Sequence, residues 1–327
     1  MKPRIAIATG DPGGIGPEVS LKAALHPVVL SLCSPVLIGD RGALQTHAAA
    51  CRLSLDEVTT VARPQLGPGD LKIGQVDAAH GRAALDSAET AVRGALAGEY
   101  QAVVAAPHTE AAIRAAGIDF DGYPSFVAKA AGLAPEDGVL MLCFASQGRE
   151  YRIAHVTLHA AVSAAAMMIS TGRVLKTLRA VHAALEKIGI DRPRIAVSGL
   201  NPHAIGDEEE RKIGPAVAAA RGEGMTVDGP FGADTLLTRA EYDAHVVMLH
   251  DQGHVVTKLL APNGAAALTI GTPVLFSSVA HGSALDIAGK GIADSRAMVE
   301  AITRLVSCRR RASATSNSEE KQRLDLK

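Results

Sequence analysis

Tryptophan is absent from the 327 residues, and aromatics together make up only 3%. The core must therefore be built from Ala, Val, Leu and Ile, which suits close packing of helices on a sheet. Cysteine is scarce: Cys33, Cys51, Cys143 and Cys308 include no CxxC pair, and their gaps form no disulfide framework. That excludes a small disulfide-stapled scaffold and fits a reducing, cytoplasmic compartment. Long apolar runs are missing too. The run at residues 4–9 is cut by Asp11 and Pro12, so no signal peptide is read there, and no other stretch reaches a membrane span. Charge of one sign is not in excess. Lys plus Arg number 33 and Asp plus Glu 34, for a net charge of -1. No field of that size gathers nucleic acid or an acidic membrane, so neither is expected as a partner.

What is present is a chain with a hydrophobic fraction of 47%, long enough for one large domain or two ordinary ones. Short β-branched runs at Arg4–Thr9, Val36–Ile38, Ala102–Ala105, Ile153–Leu158, Arg194–Ser198, Val246–Leu249 and Val274–Ser277 read as buried strands. Between them lie Ala-rich helical stretches at 83–97, 163–187 and 208–222. Strands alternating with helices predict an α/β fold with a largely parallel sheet. A second lobe is expected to begin between about residues 125 and 150, although no linker marks it. The polar segment Arg309–Lys327 reads as a disordered tail rather than a nucleic-acid arm.

Three segments carry chemistry. The turn GDPGGIGPE at 10–18 lets backbone N–H groups approach an anion, yet it is neither GxGxxG nor a Walker loop. A tight strand–helix connection explains it about as well, with Asp11 and Glu18 tilting towards a site. Three histidines stand at or beyond strand ends: His159 in HVTLH, His203 in NPHA and His250 in HDQGH. Ligands of open α/β sheets bind at carboxyl strand ends, and three neutral imidazoles suit a catalytic divalent ion. His155 and His254 compete at two of these places, and His155 falls out of phase in its strand, which favours a structural role. The third segment, HGSALDIAGKGIAD at 281–294, mixes small residues with His281, Asp286 and Lys290. It leaves room for a flat ring, and it also reads as a loop capping the next helix.

Together these segments resemble the 4-hydroxythreonine-4-phosphate dehydrogenase (PdxA-like) family from Arg4 to about Ala301, on the motifs at 10–18, 201–204 (NPHA), 229–235 (GPFGADT), 250–254 and 281–294. The resemblance implies a two-lobed fold like isopropylmalate and isocitrate dehydrogenases, with mostly parallel sheets and a central cleft. It places the first lobe at 1–128 plus 286–308, and at 129–285 the second, bearing the metal ligands and the dimer interface. It implies a homodimer whose active site takes one metal ligand from the partner subunit. His159, His203 and His250 then hold a divalent metal, with zinc expected. NAD binds through Asn201 and through His281, Gly282, Ser283, Ala284, Asp286 and Ile287. The substrate pocket takes His108, Tyr123, Ser125, Lys258 and Phe276.

The departures from that family point to one branch. Tyr123-Pro124 stands where the phosphosubstrate members have His-Thr, Ala267 and Phe276 where they have Asn and Arg, and Ala280 where they have Asp. A phosphate dianion needs several charge-assisted donors, Arg above all. The segments at 107–125, 155–159, 250–268 and 277–294 are similar instead to the terephthalate dihydrodiol (1,2-dihydroxy-3,5-cyclohexadiene-1,4-dicarboxylate) dehydrogenases. The implied reaction is NAD-linked oxidative decarboxylation of a cyclic dihydrodiol carboxylate to protocatechuate, in aromatic catabolism. Lys258, Asp251 and Asp234 are the candidates for the base, with Asp251 equally placed to orient a histidine. The alternatives are oxidation of 4-phosphohydroxy-L-threonine or a related four-carbon phospho acid, and a non-catalytic binding protein on the same fold.

Overall fold

The computed structural model describes residues 2–262 and 265–307. Eleven strands are β1 (Arg4–Ala8), β2 (Ser34–Gly39), β3 (Thr59–Ala62), β4 (Ala102–Ala105), β5 (Val139–Ser146), β6 (Arg149–His155), β7 (Arg194–Ser198), β8 (Thr226–Phe231), β9 (Ala244–Val247), β10 (Ala266–Ile270) and β11 (Phe276–Val279). The fold is α/β with mostly parallel strands, and the chain forms two compact units. The tail predicted at Arg309–Lys327 lies outside the described residues.

The first unit spans residues 2–133, 265–268 and Thr272–Val306. Its strands run β3-β2-β1-β4-β11, every pair parallel. Apolar runs without alternation, such as IAIA in β1 and AVVA in β4, suit strands covered on both faces. Small residues dominate the covering helix Ala78–Leu96, whose buried Ala88, Ala91 and Val92 meet Ala6, Ala8, Val36 and Ile38. The Asp77 carboxylate caps that helix by accepting from Ala79 N–H at 2.8 Å. The few aromatics are concentrated. Of five Phe and four Tyr, Phe120, Tyr123, Phe126 and Phe276 pack together at ring spacings of 5.1–6.2 Å, with the His108 ring wedged between Phe120 and Tyr123.

The second unit comprises Ala134–Pro262 and Thr269–Gly271 among the described residues. Its order is β5-β6-β9-β7-β8, parallel except for the antiparallel hairpin β5–β6. Gln147 (φ 51) and Gly148 (φ 76) form the two-residue turn, and two positive φ values match the right-handed twist of the strands. Strand β10 has residues in both units.

Two expectations change. The chain returns to the first unit earlier than residue 286: Phe276–Ser278 pair with Val103–Ala105, so residues 272–285 belong with β4. The stretch 163–187 is two helices, Val162–Met168 and Thr171–Lys187. Ser170 breaks it by adopting an extended conformation and capping the second helix through Arg173 N–H at 3.2 Å.

His245 on β9 gives a testable consequence. Its imidazole is buried beside Tyr242, with Nε2 3.3 Å from the Arg239 carbonyl. Burial pulls its pKa from 6.5 to about 4, against the Arg239 carbonyl and with Arg149 assisting. The unfolded chain therefore binds more protons than the folded one as pH falls from 6.5 towards 4, and stability falls with it. Urea midpoints measured between pH 7.5 and 4.5 should decline, and His245→Gln should flatten that decline by about one proton's worth of slope.

Candidate active site

Strands β6, β9 and β7 are neighbours and parallel, so their carboxyl ends share one edge. His159 follows β6, His250 follows β9 and His203 follows β7. The three candidate ligands therefore leave adjacent strands at one end of the unit. Pairing of β6 continues past its last residue, as Val156 and Thr157 N–H donate to Val247 and Met248 carbonyls at 2.9 and 3.2 Å. His159 thus sits two residues beyond the pairing, in an exposed turn rather than on the strand.

His250 opens the helix His250–Leu260. Its Nδ1 lies 2.7 Å from Asp251 Oδ1, which leaves Nε2 with its lone pair directed elsewhere. Its ring is 5.5 Å from that of His159 and stacks on His254 at 3.7 Å, with 9° between planes. His254 in turn lies 4.9 Å from the buried His155 ring. Burial, with the neighbouring imidazoles adding to it, lowers His254 to about 4 and His155 to about 3, so both are neutral near pH 7. His155 is in the core, as its phase in the strand predicts. The column needs Gly253, because a Cβ there would lie 2.3 Å from His155 Nε2.

His203 stands apart from these rings. Among the described residues, no three or more His, Cys, Asp or Glu side chains form a group able to hold a metal. The His159/His250 pair, with Asp251 behind His250, still fits a divalent ion by donor chemistry: neutral imidazoles, one already oriented by a carboxylate. His203 (φ 58) and Ala204 (φ 57) both adopt the left-handed conformation, a cost of about 1–2 kcal/mol for each non-glycine residue. The loop is braced by Glu209, which sequence reasoning passed over as part of an acidic run. Its buried carboxylate accepts from Leu200 N–H, Asn201 N–H and Asn201 Nδ2 at 2.7, 2.9 and 2.8 Å. Burial alone would raise the Glu209 pKa; the donors from Asn201 and Leu200 outweigh it and hold the carboxyl below its ordinary value.

Asn201 also donates to Glu208 at 3.0 Å, so both amide hydrogens are committed and its Oδ1 remains for a ligand. Lys258 is exposed and shares one helix face with His250 and His254, at successive four-residue steps. Asp234 is exposed at the start of a short helix, and a Cβ on Gly232 would lie 2.7 Å from its carboxylate and 3.6 Å from His203 Cα. The Asp251 carboxylate, largely exposed, has its Oδ1 on His250 Nδ1.

In the first unit, the Gly-rich turn and the 281–294 loop pack on each other. Ile15 N–H donates to the Ser283 carbonyl at 2.9 Å, and a Cβ on Gly14 would lie 2.5 Å from Ser283 Cβ. Glu18, fully buried, accepts from Lys22 Nζ and Ala293 N–H, both at 2.7 Å, and Lys22 also donates to the Gly291 and Ala293 carbonyls. Asp11 accepts from Gly13 N–H at 2.8 Å and from the Thr109 hydroxyl. Both carboxylates are therefore braces of the turn, not open ligand groups. Within the loop, the buried Ser283 hydroxyl has no partner and Ala284 is left-handed (φ 39). His281, Gly282, Ala284, Asp286 and Ile287 are exposed or half-buried around it. An orphaned buried hydroxyl within a frame of small residues fits a nucleotide ring and its polar edge.

The predicted substrate residues divide by depth. His108 is half-buried, and Ser125 donates to Asp121 and to the Gly122 carbonyl. Phe276 is fully buried and Tyr123 is 4% exposed, so their rings are spent on the core cluster rather than laid open as a binding face.

An α/β protein with imidazoles ranged along the carboxyl edge of adjacent parallel strands is an enzyme-type scaffold. The sequence profile described as "Pyridoxal phosphate biosynthetic protein PdxA" matches residues 31–305. The chain is 41% identical over 314 residues to a 1,2-dihydroxy-3,5-cyclohexadiene-1,4-dicarboxylate dehydrogenase from Comamonas sp, covering 92% of this chain and 96% of that one. It is 38% identical over 323 residues to a D-threonate 4-phosphate dehydrogenase from Cupriavidus necator, covering 92% and 95%. Among solved structures, a terephthalate 1,2-cis-dihydrodioldehydrogenase from Burkholderia xenovorans LB400 is 39% identical, with a TM-score of 0.66 and coverage of 94% and 98%. The chain belongs to the PdxA family, and its relatives make it an oxidoreductase of the dehydrogenase kind. No helix among the described residues is long and apolar enough to cross a membrane.

Gly253→Ala tests the histidine column. The added methyl must displace the His155 ring, so the urea midpoint should fall by the equivalent of about 1–3 kcal/mol. An unchanged midpoint would show that the column gives way freely.

Proposed function

We propose that the protein is a metal-dependent, NAD-linked dehydrogenase acting on a cyclic dihydrodiol carboxylate such as terephthalate dihydrodiol. The observation that carries this reading is the apolar, buried character of two positions where the phosphosubstrate members of the family have Asn and Arg. Ala267 and Phe276 are buried and supply no donor where a phosphate ester would need charge-assisted ones. Phe276 is fully buried and packs on Tyr123 at 5.1 Å, so no charged donor reaches the substrate from this position.

His159, His203 and His250 would hold the ion, with Asp251 fixing the His250 tautomer. Ser283, with the loop from His281 to Ile287, would hold the dinucleotide, and Asn201 would offer Oδ1 to a donor. When bound, these groups supply a Lewis acid and a hydride acceptor. Lys258 takes the proton from the hydroxyl β to the carboxylate as its carbon gives up hydride. The resulting β-keto acid loses CO2, the electron pair of the broken C–C bond enters the ring, and protonation of the ring oxygen gives protocatechuate. Aromatisation drives this second step. A second copy of the chain completes the site. The segments bearing the three histidines also expose Val162, Met167, Ile205, Val255 and Leu259, with Met167 and Leu259 each 78% exposed, and a homodimer would cover them. Cys33, Cys51 and Cys143 form no disulfide among the described residues, which supports a reducing cytoplasmic setting.

NADH formation should be followed with the dihydrodiol and with D-threonate 4-phosphate, each with zinc or cobalt added. Turnover of the dihydrodiol, its loss on chelation and its return with metal are expected. Fast oxidation of the phospho acid with none of the diol would reverse the assignment. Lys258→Met should lower kcat by about 100-fold or more. A rise confined to KM would instead make Lys258 the anchor for a substrate carboxylate.

A further inference from the structure

We infer that Glu209 is the positioning residue that sets the His203 loop for metal binding. The inference rests on the reading of His203 as a ligand and deepens it. The loop has a shape that its own sequence does not favour: two consecutive non-glycine residues, His203 and Ala204, are left-handed. Such strain persists only where the surroundings over-determine it. Here Ala204 and Ile205 N–H close turn bonds to the Asn201 and Pro202 carbonyls at 3.0 and 3.3 Å, and one buried carboxylate fixes the residues that lead in. Glu209 is 4% exposed and gathers Leu200 N–H, Asn201 N–H and the Asn201 side-chain amide, the residues that lead into Pro202-His203. Its two oxygens are bracketed by glycines. A Cβ at Gly199 would lie 2.9 Å from Oε1, and one at Gly206 would lie 2.9 Å from Oε2 and 2.5 Å from Asn201 Nδ2. Glu209 also opens the π-turn Glu209–Ile213, a backbone register change that aims this carboxylate and that of Glu208 at the same amide. The carboxylate thereby acts on the ligand through the backbone, without touching the ion.

The test uses the full chain and cobalt(II) alone, read by competition with a chromophoric chelator and by visible absorption. Glu209→Gln should weaken cobalt binding about 10–100-fold and change the absorption bands, with the circular dichroism of the fold retained. Gly206→Ala, which wedges Asn201 from the carboxylate without removing charge, should weaken binding in the same direction and serves if Glu209→Gln does not fold. In a His203→Ala background, Glu209→Gln should add no further loss. Wild-type affinity and spectrum in Glu209→Gln, or losses that multiply with those of His203→Ala, would overturn the inference. If His203→Ala alone binds cobalt like the wild type, the ligand reading fails and the inference falls with it. A weakened His203→Ala beside an unaffected Glu209→Gln removes only the role of Glu209.

Discussion

Parallel pairing of β6, β9 and β7 is the constraint on which the site depends. Parallel strands must all end at the same edge, and crossover connections return the chain to the opposite one. Three segments far apart in sequence are thereby delivered side by side, each free to carry an irregular loop because the strand before it is fixed. His159 and His203 occupy two of those loops, and His250 opens the helix that follows β9. The same geometry explains why each needs separate support. A loop beyond a strand end has lost its ladder hydrogen bonds, so other groups must fix it: Asp251 for the His250 ring, Glu209 for the His203 backbone and the His254 ring for the other face of His250.

Small side chains make this close construction possible. A core short of aromatics lets backbones approach, and the approach is extreme at Gly14 and Gly253, where any methyl would meet Ser283 or His155. The HDQGH motif thus combines two demands. Its first histidine is oriented for a ligand, while its glycine leaves room for an imidazole buried behind the helix. The aromatics that do occur are not spread evenly. Phe120, Tyr123, Phe126 and Phe276 form one cluster in the first unit, which stiffens that part of an otherwise aliphatic core.

Much of this was legible in the residues. The apolar runs of β1, β4 and β7 announce buried strands, and the motifs place the histidines at strand ends. The strands that escaped notice are those whose identity is tertiary. β3 is short and half-exposed, β8 contains Asp228, Gly229 and Pro230, which read as a turn, β10 is Ala-rich and short, and β5 is held by a hairpin whose Gln147-Gly148 turn is a weaker signal than Asn-Gly. The early return of the chain to the first unit was hidden because pairing of Phe276–Ser278 with β4 spans about 170 residues of sequence. Asp11 and Glu18 looked like site residues because buried carboxylates usually are; their partners, Thr109 and Ala293, are distant in sequence. Glu209 was concealed in the opposite way, inside an acidic run whose Asp207 and Glu210 are exposed. The spacing from NPHA to that run was the available clue.

Overall similarity separates the candidate substrates poorly, since 41% identity to a dihydrodiol dehydrogenase and 38% to a threonate phosphate dehydrogenase lie close together. The decision falls to individual positions, and burial gives those positions their weight. An exposed Ala or Phe could be bypassed by a neighbouring lysine reaching the same space. Ala267 and Phe276 are buried, and Phe276 is locked against Tyr123 at 5.1 Å, so no donor can take their place without repacking the core. Neither side chain supplies a charge-assisted donor, so a phosphate ester would have to find its charged partners elsewhere. Loss of donors at these two positions therefore weighs against a phosphate ester more than against a ring substrate, whose carbons need apolar surface.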